Sequence, residues 1–313
     1  MQDLVIMGEL LVEIMRDRPD ASLSKTGIFL GPFPSGAPAI CADTAARLGC
    51  KTAIIGSVGR DDFGKCLIDR LQSDGVDTKW VHESGSRSTG VAFVTYFSDG
   101  SRKYIFHMGN SAAVEAKVPK DFNGAKYMHI MGCSLMADEM FACEILDLMR
   151  AAIDRGAKLT FDPNIRRELA SGAATRNMIR NVMENTIVFL PGTEELLFIA
   201  NETDVQSAVR KCFEFPKMEL VVLKRGSQGC MICDRTGDLK TINAYTVDQV
   251  DATGAGDCFD GAFLAGLCQG KNVEEAARMG AAAGALNAAA FGPMEGKINP
   301  ASISEMVCGA HIK

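Results

Sequence analysis

Six short apolar runs, each closed by glycine or proline, constrain this 313-residue chain more than any other feature. They are DLVIMG (3–8), TAIIGSVG (52–59), KYMHIMG (126–132), AKLTFDP (157–163), TIVFLPG (186–192) and LVVLKRG (220–226). Runs of this length and make-up read as strands buried on both faces. Amphipathic stretches lie between them, and the spacing predicts helices over Ala37–Leu48, Gly64–Ser73, Asp138–Arg155 and Val205–Phe213. Strand–helix alternation of this kind implies the α/β class, with a parallel sheet covered by helices on both faces. Such sheets bind ligands beyond the carboxyl ends of their strands. The Gly and Asp residues that close the runs therefore face the expected site.

One region breaks the rhythm. STGVAFVTYFSDGSRKYIFHMG, Ser88–Gly109, alternates with period two around Asp99–Gly100, a hairpin signal with no partner helix. LVEIMRD (11–17) and SKTGIFLGPF (24–33) add strand patterns beside it. The expectation is a single domain over 1–313 with a small antiparallel β lid, built from excursions at about 10–33 and 87–109. An ordinary edge hairpin is the alternative. The apolar lid segment VAFVTYF must be covered on its second side, which makes a homodimer through the lid an expectation. The last third is helical. Phe259, Ala262, Phe263, Gly266 and Leu267 follow one helix face, Gly270 is a stop signal, and VEEAARMGAAAGALNAAAFG is so rich in small residues that it must pack very close to a neighbour or a flat ligand.

Composition narrows the function classes. A net charge of −6 offers no surplus of cations for binding nucleic acid through its phosphates. The opening MQDLVIMGEL has no basic signal-peptide region, and no apolar run reaches membrane-spanning length. The eleven cysteines are scattered through apolar stretches such as FACEIL and GLCQG and read as buried free thiols of a cytoplasmic protein. Cys230 and Cys233 form one CxxC; with no second pair and β-rich flanks, a strand is favoured over zinc or redox use.

Two motifs mislead. GRDDFGKC (59–66) has the spacing of a phosphate-binding P-loop, but Cys66 replaces the hydroxyl residue, and Asp61 and Asp62 would face the phosphates. A tight turn capping the helix near Gly64 is the better reading. Gly254-Ala255-Gly256 opens like a dinucleotide fingerprint, yet the third glycine comes late, at Gly261, and far from a first βαβ unit.

DATGAGDCFDGAF (251–263) has a different logic. The loop runs into a helix beginning near Ala255, whose first N–H groups are unpaired and lie at the positive end of the helix dipole. With only a methyl among Gly254, Ala255 and Gly256, a phosphoryl group can touch the backbone. Asp257, in the first turn, would repel phosphate if it were only a binder. As a base it takes the proton of a hydroxyl that attacks the bound phosphoryl group. A carboxylate that merely complements the dipole is the alternative.

This stretch resembles the C-terminal signature of the ribokinase-like (PfkB) carbohydrate kinases, D-T-x-G-A-G-D followed by F-x-G, with Ala252 in the usual Thr position and Thr253 retained. Ser35–Thr78 resembles the family's N-terminal region, including its G-x-V-G-x-D-x-x-G signature, and FDPNIR, LPGTEEL and LKRGSQG follow in the family's order. The resemblance implies a ribokinase-like three-layer αβα fold. It implies ATP and Mg²⁺, with a monovalent-cation requirement left open. It implies Asp257 as catalytic base and Gly254, Ala255 and Gly256 as an anion hole. Thr253 belongs to the same nucleotide-side loop. Glu195, in GTEE, would organise Mg²⁺ through water, with Gly192 replacing the usual Asn. Lys224, Gly226 and Gly229 match the nucleotide loop, Lys224 being alternatively a solvated strand end. Asn287 matches a position near the adenine, or is a helix-surface Asn.

On the sugar side, Glu13 falls where relatives place a sugar-binding Asp, with a lid-surface residue as the alternative. Gly36 matches the second glycine of a Gly-Gly turn, with Ser35 in place of the first, and Ala37 follows it into the site. Ile40 stands where many members carry a sugar-contacting Asn, so the substrate should differ from ribose. GPFPSGAPAI resembles the tagatose-kinase branch. DPNIR resembles the 2-keto-3-deoxygluconate kinase branch, where the residue matching Arg166 meets a carboxylate, but His107 and Phe106 occupy the lid positions of that branch's second Arg and Tyr. His107 could hydrogen-bond a hydroxyl or simply pack in the lid. The expected activity is transfer of the ATP γ-phosphoryl group to a primary hydroxyl of a ketose or keto-sugar acid. A nucleoside or sugar-phosphate kinase and a non-catalytic sensor are the rival readings.

Overall fold

A computed structural model describes residues 1–99, 101–165 and 173–309. The strands are β1 (Gln2–Met7), β2 (Leu11–Arg16), β3 (Phe29–Ser35), β4 (Thr52–Gly59), β5 (Asp77–Ser84), β6 (Gly90–Tyr96), β7 (Arg102–His107), β8 (Ala125–Met131), β9 (Lys158–Asp162), β10 (Val188–Phe189), β11 (Leu220–Lys224), β12 (Cys230–Asp234) and β13 (Leu239–Ile242). The helices are α1 (Ala37–Arg47), α2 (Asp62–Ser73), α3 (Gly132–Leu135), α4 (Glu139–Asp154), α5 (Ala173–Asn185), α6 (Thr193–Ala200), α7 (Val205–Cys212), α8 (Ala255–Cys268), α9 (Val273–Ala288) and α10 (Pro300–Cys308).

Nine strands form one sheet in the order β13-β12-β11-β10-β9-β8-β1-β4-β5. Pairing is parallel from β11 to β5, and β12 and β13 add antiparallel at one edge. Period-two alternation divides the apolar runs between two cores. Leu4, Ile6, Leu220 and Val222 face α1, α2, α8, α9 and α10; Val5, Met7, Val221 and Leu223 face α4, α5, α6 and α7. This is the ribokinase-like αβα fold. Because helices cover both faces, the runs carry no polar alternation, which is why they stand out in the sequence.

The second sheet has the order β3-β2-β6-β7. Its outer pairings are antiparallel, and its central pairing, β2 with β6, is parallel. It stands over the carboxyl ends of the main sheet, with Leu11, Ala92, Met108 and Ala113 as a small core beneath.

Local chemistry explains the boundaries. Asp61 caps α2, accepting from Gly64 N at 2.9 Å, and it also accepts from the N–H and hydroxyl of Thr89 at 2.8 and 2.7 Å. GRDDFGKC is therefore a cap that ties α2 to the start of β6. Burial opposes the Asp61 charge, but the Thr89 and Gly64 donors hold its pKa below the ordinary value. The small-residue helix α9 lies against α8: a Cβ at Gly280 would meet Phe259 O at 2.9 Å, and one at Gly284 would meet Ala255 O at 2.9 Å. Gly261 is absorbed the same way, since a Cβ there would meet Cys41 O of α1 at 2.4 Å. Cys230 and Cys233 are free thiols three residues apart on β12, so they point to opposite faces and cannot converge on a metal. Not all the cysteines are buried: Cys143 is on the solvent side of α4, and Cys308, the last residue of α10, is exposed.

Candidate active site

A cavity of about 230 Å³ opens between the carboxyl ends of the main strands and the lid. At one end stand Glu9 and Glu13, both buried. Glu9 follows β1 and accepts from Ser134 Oγ at 2.5 Å and Cys133 Sγ at 3.2 Å. Glu13, on β2, accepts from Ser35 Oγ at 2.7 Å. Glu13 thus faces the cavity, not the lid surface. Ser35, in place of the first glycine that the resemblance implies, supplies that hydroxyl. Gly36 turns the chain at φ 104°, where a Cβ would meet Glu9 O at 2.6 Å, and delivers Ala37 and Ile40 to the floor.

The lid side is formed by Arg102, Tyr104, Phe106 and Met108. Tyr104 and Phe106 are stacked, with centroids 5.2 Å apart. His107 is not among the lining residues: it is exposed and packs edge-on to Phe93 on the other face of the lid. The correction follows from strand parity. Residues 102, 104 and 106 share one face of β7, and 107 belongs to the opposite one. Arg166 lies outside the described residues.

At the opposite end, Gly254 sits at φ 74° before α8, and a Cβ there would meet Pro293 O at 2.4 Å. Gly254, Gly256 and Asp257 line the cavity. Asp257 is 7% exposed, and its Oδ1 accepts from Asn164 Nδ2 at 2.9 Å. Asn164 is held in turn: its N–H donates to Asp162 Oδ1 at 3.0 Å and its φ is 36°. Thr253 is fixed by Asp251, whose Oδ1 accepts from its N–H at 2.9 Å.

Lys224 is not a solvated strand end. Its Nζ is 2.9 Å from Asp162 Oδ2 and 2.9 Å from Asp260 Oδ2. Burial alone would lower the Lys224 pKa; the two carboxylates outweigh it and raise the pKa above its ordinary value. Burial likewise opposes the Asp162 charge, yet Lys224 holds that carboxyl low, whereas complete burial pushes Asp260 well up. Lys224 therefore sits between two carboxyl groups whose proton affinities are pushed in opposite directions. Glu195 lies alongside, accepting from Gly192 N at 2.7 Å and Ile165 N at 2.8 Å. Burial, and then Asp162, raise its pKa.

A second cavity of about 250 Å³ lies behind this wall. Gly226, Ser227, Gly229, Tyr245, Phe259 and Gly284 line it, and it is mainly apolar, as a flat aromatic ligand requires. The two cavities share Lys224, Ala252 and Gly256. Ala255 lines the second cavity, so the first turn of α8 is presented to both. Asn287 lines neither. It is fully buried, its Nδ2 donating to Thr253 O at 2.7 Å and its Oδ1 accepting from Gly296 N at 3.1 Å. The expectation of an adenine contact is corrected: with the carboxamide bonded on both sides inside the fold, Asn287 supports the loop before Gly254 from behind.

A model of the pfkB family carbohydrate kinases matches residues 1–300. The chain belongs to this family. It is 33% identical over 298 residues to fructokinase-1 of Oryza sativa subsp. japonica, covering 91% of each chain. It is 34% identical over 268 residues to fructokinase-1 of Zea mays, covering 83% of this chain and 81% of that one. Among solved structures, an E. coli protein assigned as ribokinase II, in complex with ATP and Mg²⁺, superposes with a TM-score of 0.91 at 34% identity, covering 98% and 99% of the two chains. A double-mutant fructokinase of Vibrio cholerae, solved with fructose, ADP and potassium ion, shares the fold with a TM-score of 0.85 at 23% identity, covering 98% of each chain. The protein is an ATP-dependent sugar kinase.

Asn164, Asp162 and Glu9 belong to the site, yet the sequence reading assigned none of them. DPN gave a signal for the first two: Asn tolerates left-handed backbone, and Asp at the end of a buried strand faces the ligand.

Proposed function

We propose that this pfkB kinase phosphorylates a primary hydroxyl of a neutral ketose, with Asp257 as base. The observation that carries this reading is the shared wall. Lys224, Ala252 and Gly256 border both the lid cavity and the apolar cavity, so a phosphate chain entering from one side ends beside a hydroxyl held in the other. Asp257, oriented by Asn164, takes the acceptor proton as that oxygen attacks the γ-phosphorus. The N–H groups of the turn Gly254–Gly256 meet the charge that develops on the phosphoryl oxygens.

No group of three or more His, Cys, Asp or Glu side chains among the described residues is arranged to hold a metal alone. The oxygen donors Glu195 and Asp162 fit Mg²⁺ carried mostly by phosphate and water, since Mg²⁺ keeps much of its hydration. When bound, Mg²⁺ supplies charge neutralisation on the ATP oxygens. Glu195 keeps lone pairs free for its waters while two backbone N–H groups fix its orientation.

Glu9 and Glu13 favour a neutral polyol over a sugar acid. Two buried carboxylates accept hydrogen bonds from hydroxyls and repel an anion. Cysteines held as reduced thiols accord with a cytosolic location. ADP release should be measured with D-fructose, D-tagatose, 2-keto-3-deoxygluconate and adenosine, with and without K⁺. Turnover on a ketose is expected; turnover confined to the acid or the nucleoside would contradict the assignment.

A further inference from the structure

The turn Gly254–Gly256 rests against a segment that lies outside both cavities. A Cβ at Gly254 would meet Pro293 O at 2.4 Å and Asn287 Nδ2 at 3.3 Å. Asn287 donates to Thr253 O and accepts from Gly296 N, and Gly292 N donates to Asp251 Oδ2 at 3.1 Å. The segment 292–296 is therefore a backstop. Whatever sets its position sets the position of the turn.

Two arginines from the other end of the sequence hold it. Arg47, the last residue of α1, donates from Nη1 to Met294 O at 3.3 Å and from Nη2 to Gly296 O at 2.8 Å. Arg70, on α2, donates from Nη2 to Met294 O at 2.5 Å and from Nη1 to Glu295 Oε1 at 3.1 Å. Both side chains are mostly buried, and Asp43 lies between them, 3.5 Å from Arg47 Nη1 and 3.7 Å from Arg70 Nε. Bonds from a guanidinium to a carbonyl are charge-assisted, and the planar fork fixes direction as well as distance. Gly296 is gripped on both sides, its carbonyl by Arg47 and its N–H by Asn287. Neither arginine lines either cavity, so neither touches a substrate.

We propose that Arg47 and Arg70 are positioning residues for phosphoryl transfer, acting on the turn Gly254–Gly256 through Gly296 and Asn287. The inference rests on the reading of that turn as the anion hole. Backbone N–H groups stabilise developing charge only when they are aimed at the place where it develops, so a small displacement of the turn lowers the rate more than it weakens binding. Two rigid cationic forks on the helices α1 and α2 give the backstop a fixed reference in the body of the fold.

Arg47→Met keeps the apolar stem and removes both carbonyl bonds. With D-fructose or D-tagatose, whichever wild type phosphorylates, it should lower kcat about tenfold while the sugar KM and the Mg·ADP affinity hold. Arg47→Lys keeps the charge and loses the fork; it should show the same split to a smaller degree, and it carries the test if the Met variant does not fold. Asn287→Ala cuts the link itself, so in that background Arg47→Met should lower kcat much less than it does in wild type. Asp74→Asn alters the 2.6 Å bond from Arg70 Nε and leaves 292–296 untouched, so kcat should hold whatever happens to the urea midpoint. Losses that multiply independently in the double variant would overturn the proposal. So would a kcat that simply follows the urea midpoint across the single variants, or wild-type kcat in both Arg47 variants. Wild-type turnover in Asp257→Asn is a separate result: it would remove the transfer site, and this proposal with it.

Discussion

Asn164 Nδ2 donates to Asp257 Oδ1 at 2.9 Å from a backbone held at φ 36°. On the proposed assignment of Asp257 as base, the Asn164 carboxamide helps to set its direction. Asn164→Ala should lower kcat by about 10–10²-fold while ATP affinity is unchanged, because small misplacements of reacting groups carry penalties of that order. Steady-state kinetics beside calorimetry with ATP checks it.

The sugar side is tested through Glu13. Ser35 Oγ donates to Glu13 Oε1 at 2.7 Å, and both residues are buried. Glu13→Gln should raise the sugar KM about tenfold or more, as expected for loss of a charged hydrogen-bond acceptor. Ser35→Ala should raise it less, since the carboxylate remains but is no longer oriented. Equal, wild-type KM values in both variants would place the sugar elsewhere.

A pH effect on stability should come from Asp43, on α1. Burial, and then its hydrogen bond with Asp74, push its carboxyl up to about 8, outweighing Arg70 and Arg47. Asp74 moves the opposite way, as the ionised partner of a protonated neighbour. A raised folded-state pKa means that the native chain holds the proton longer than the unfolded chain. The Asp43 contribution is then fully present below about pH 4 and is lost as pH rises through about 8. Urea unfolding of wild type against Asp43→Asn should show a difference that changes by up to about 1.4 kcal/mol per pH unit inside that window and is flat above it.

The outer lid face is proposed as a homodimer surface. Ile28, Phe29 and Leu30, at the β3 edge of the lid, and Ile105, on β7 at its other edge, are exposed. A homodimer through this face would cover them. Wild type should sediment as a dimer, and a Phe29→Asp, Ile105→Asp variant as a monomer. A monomeric wild type would contradict this.

Much of the fold was legible because the buried parallel strands carry unbroken apolar runs. TAIIGSVG coincides with β4, and the hairpin around Asp99 appears as β6 and β7. β5 gave no such run: DTKWVHES is an edge strand with much of its length open to solvent, so its polar residues hid it. TIVFLPG yielded only the two-residue β10, because Pro191 follows closely and cannot donate to a ladder. Asp257, Glu13 and Lys224 line the lid cavity, as the positions of their motifs suggested, while their roles stand as proposals. His107 does not line it, because one residue of strand register reverses the face. Asn287 was misread because the pattern of α9 does not reveal that Gly296 closes over it. Arg102 and Tyr96 meet Thr253 across more than 150 residues of chain, a contact no local pattern encodes.

The most direct measurement is turnover of Asp257→Asn with the ketose that wild type phosphorylates, alongside ATP affinity. Retained ATP binding with turnover lower by ~10²–10⁴-fold or more is predicted, the scale of losing a general base. Wild-type turnover in that variant would contradict the account.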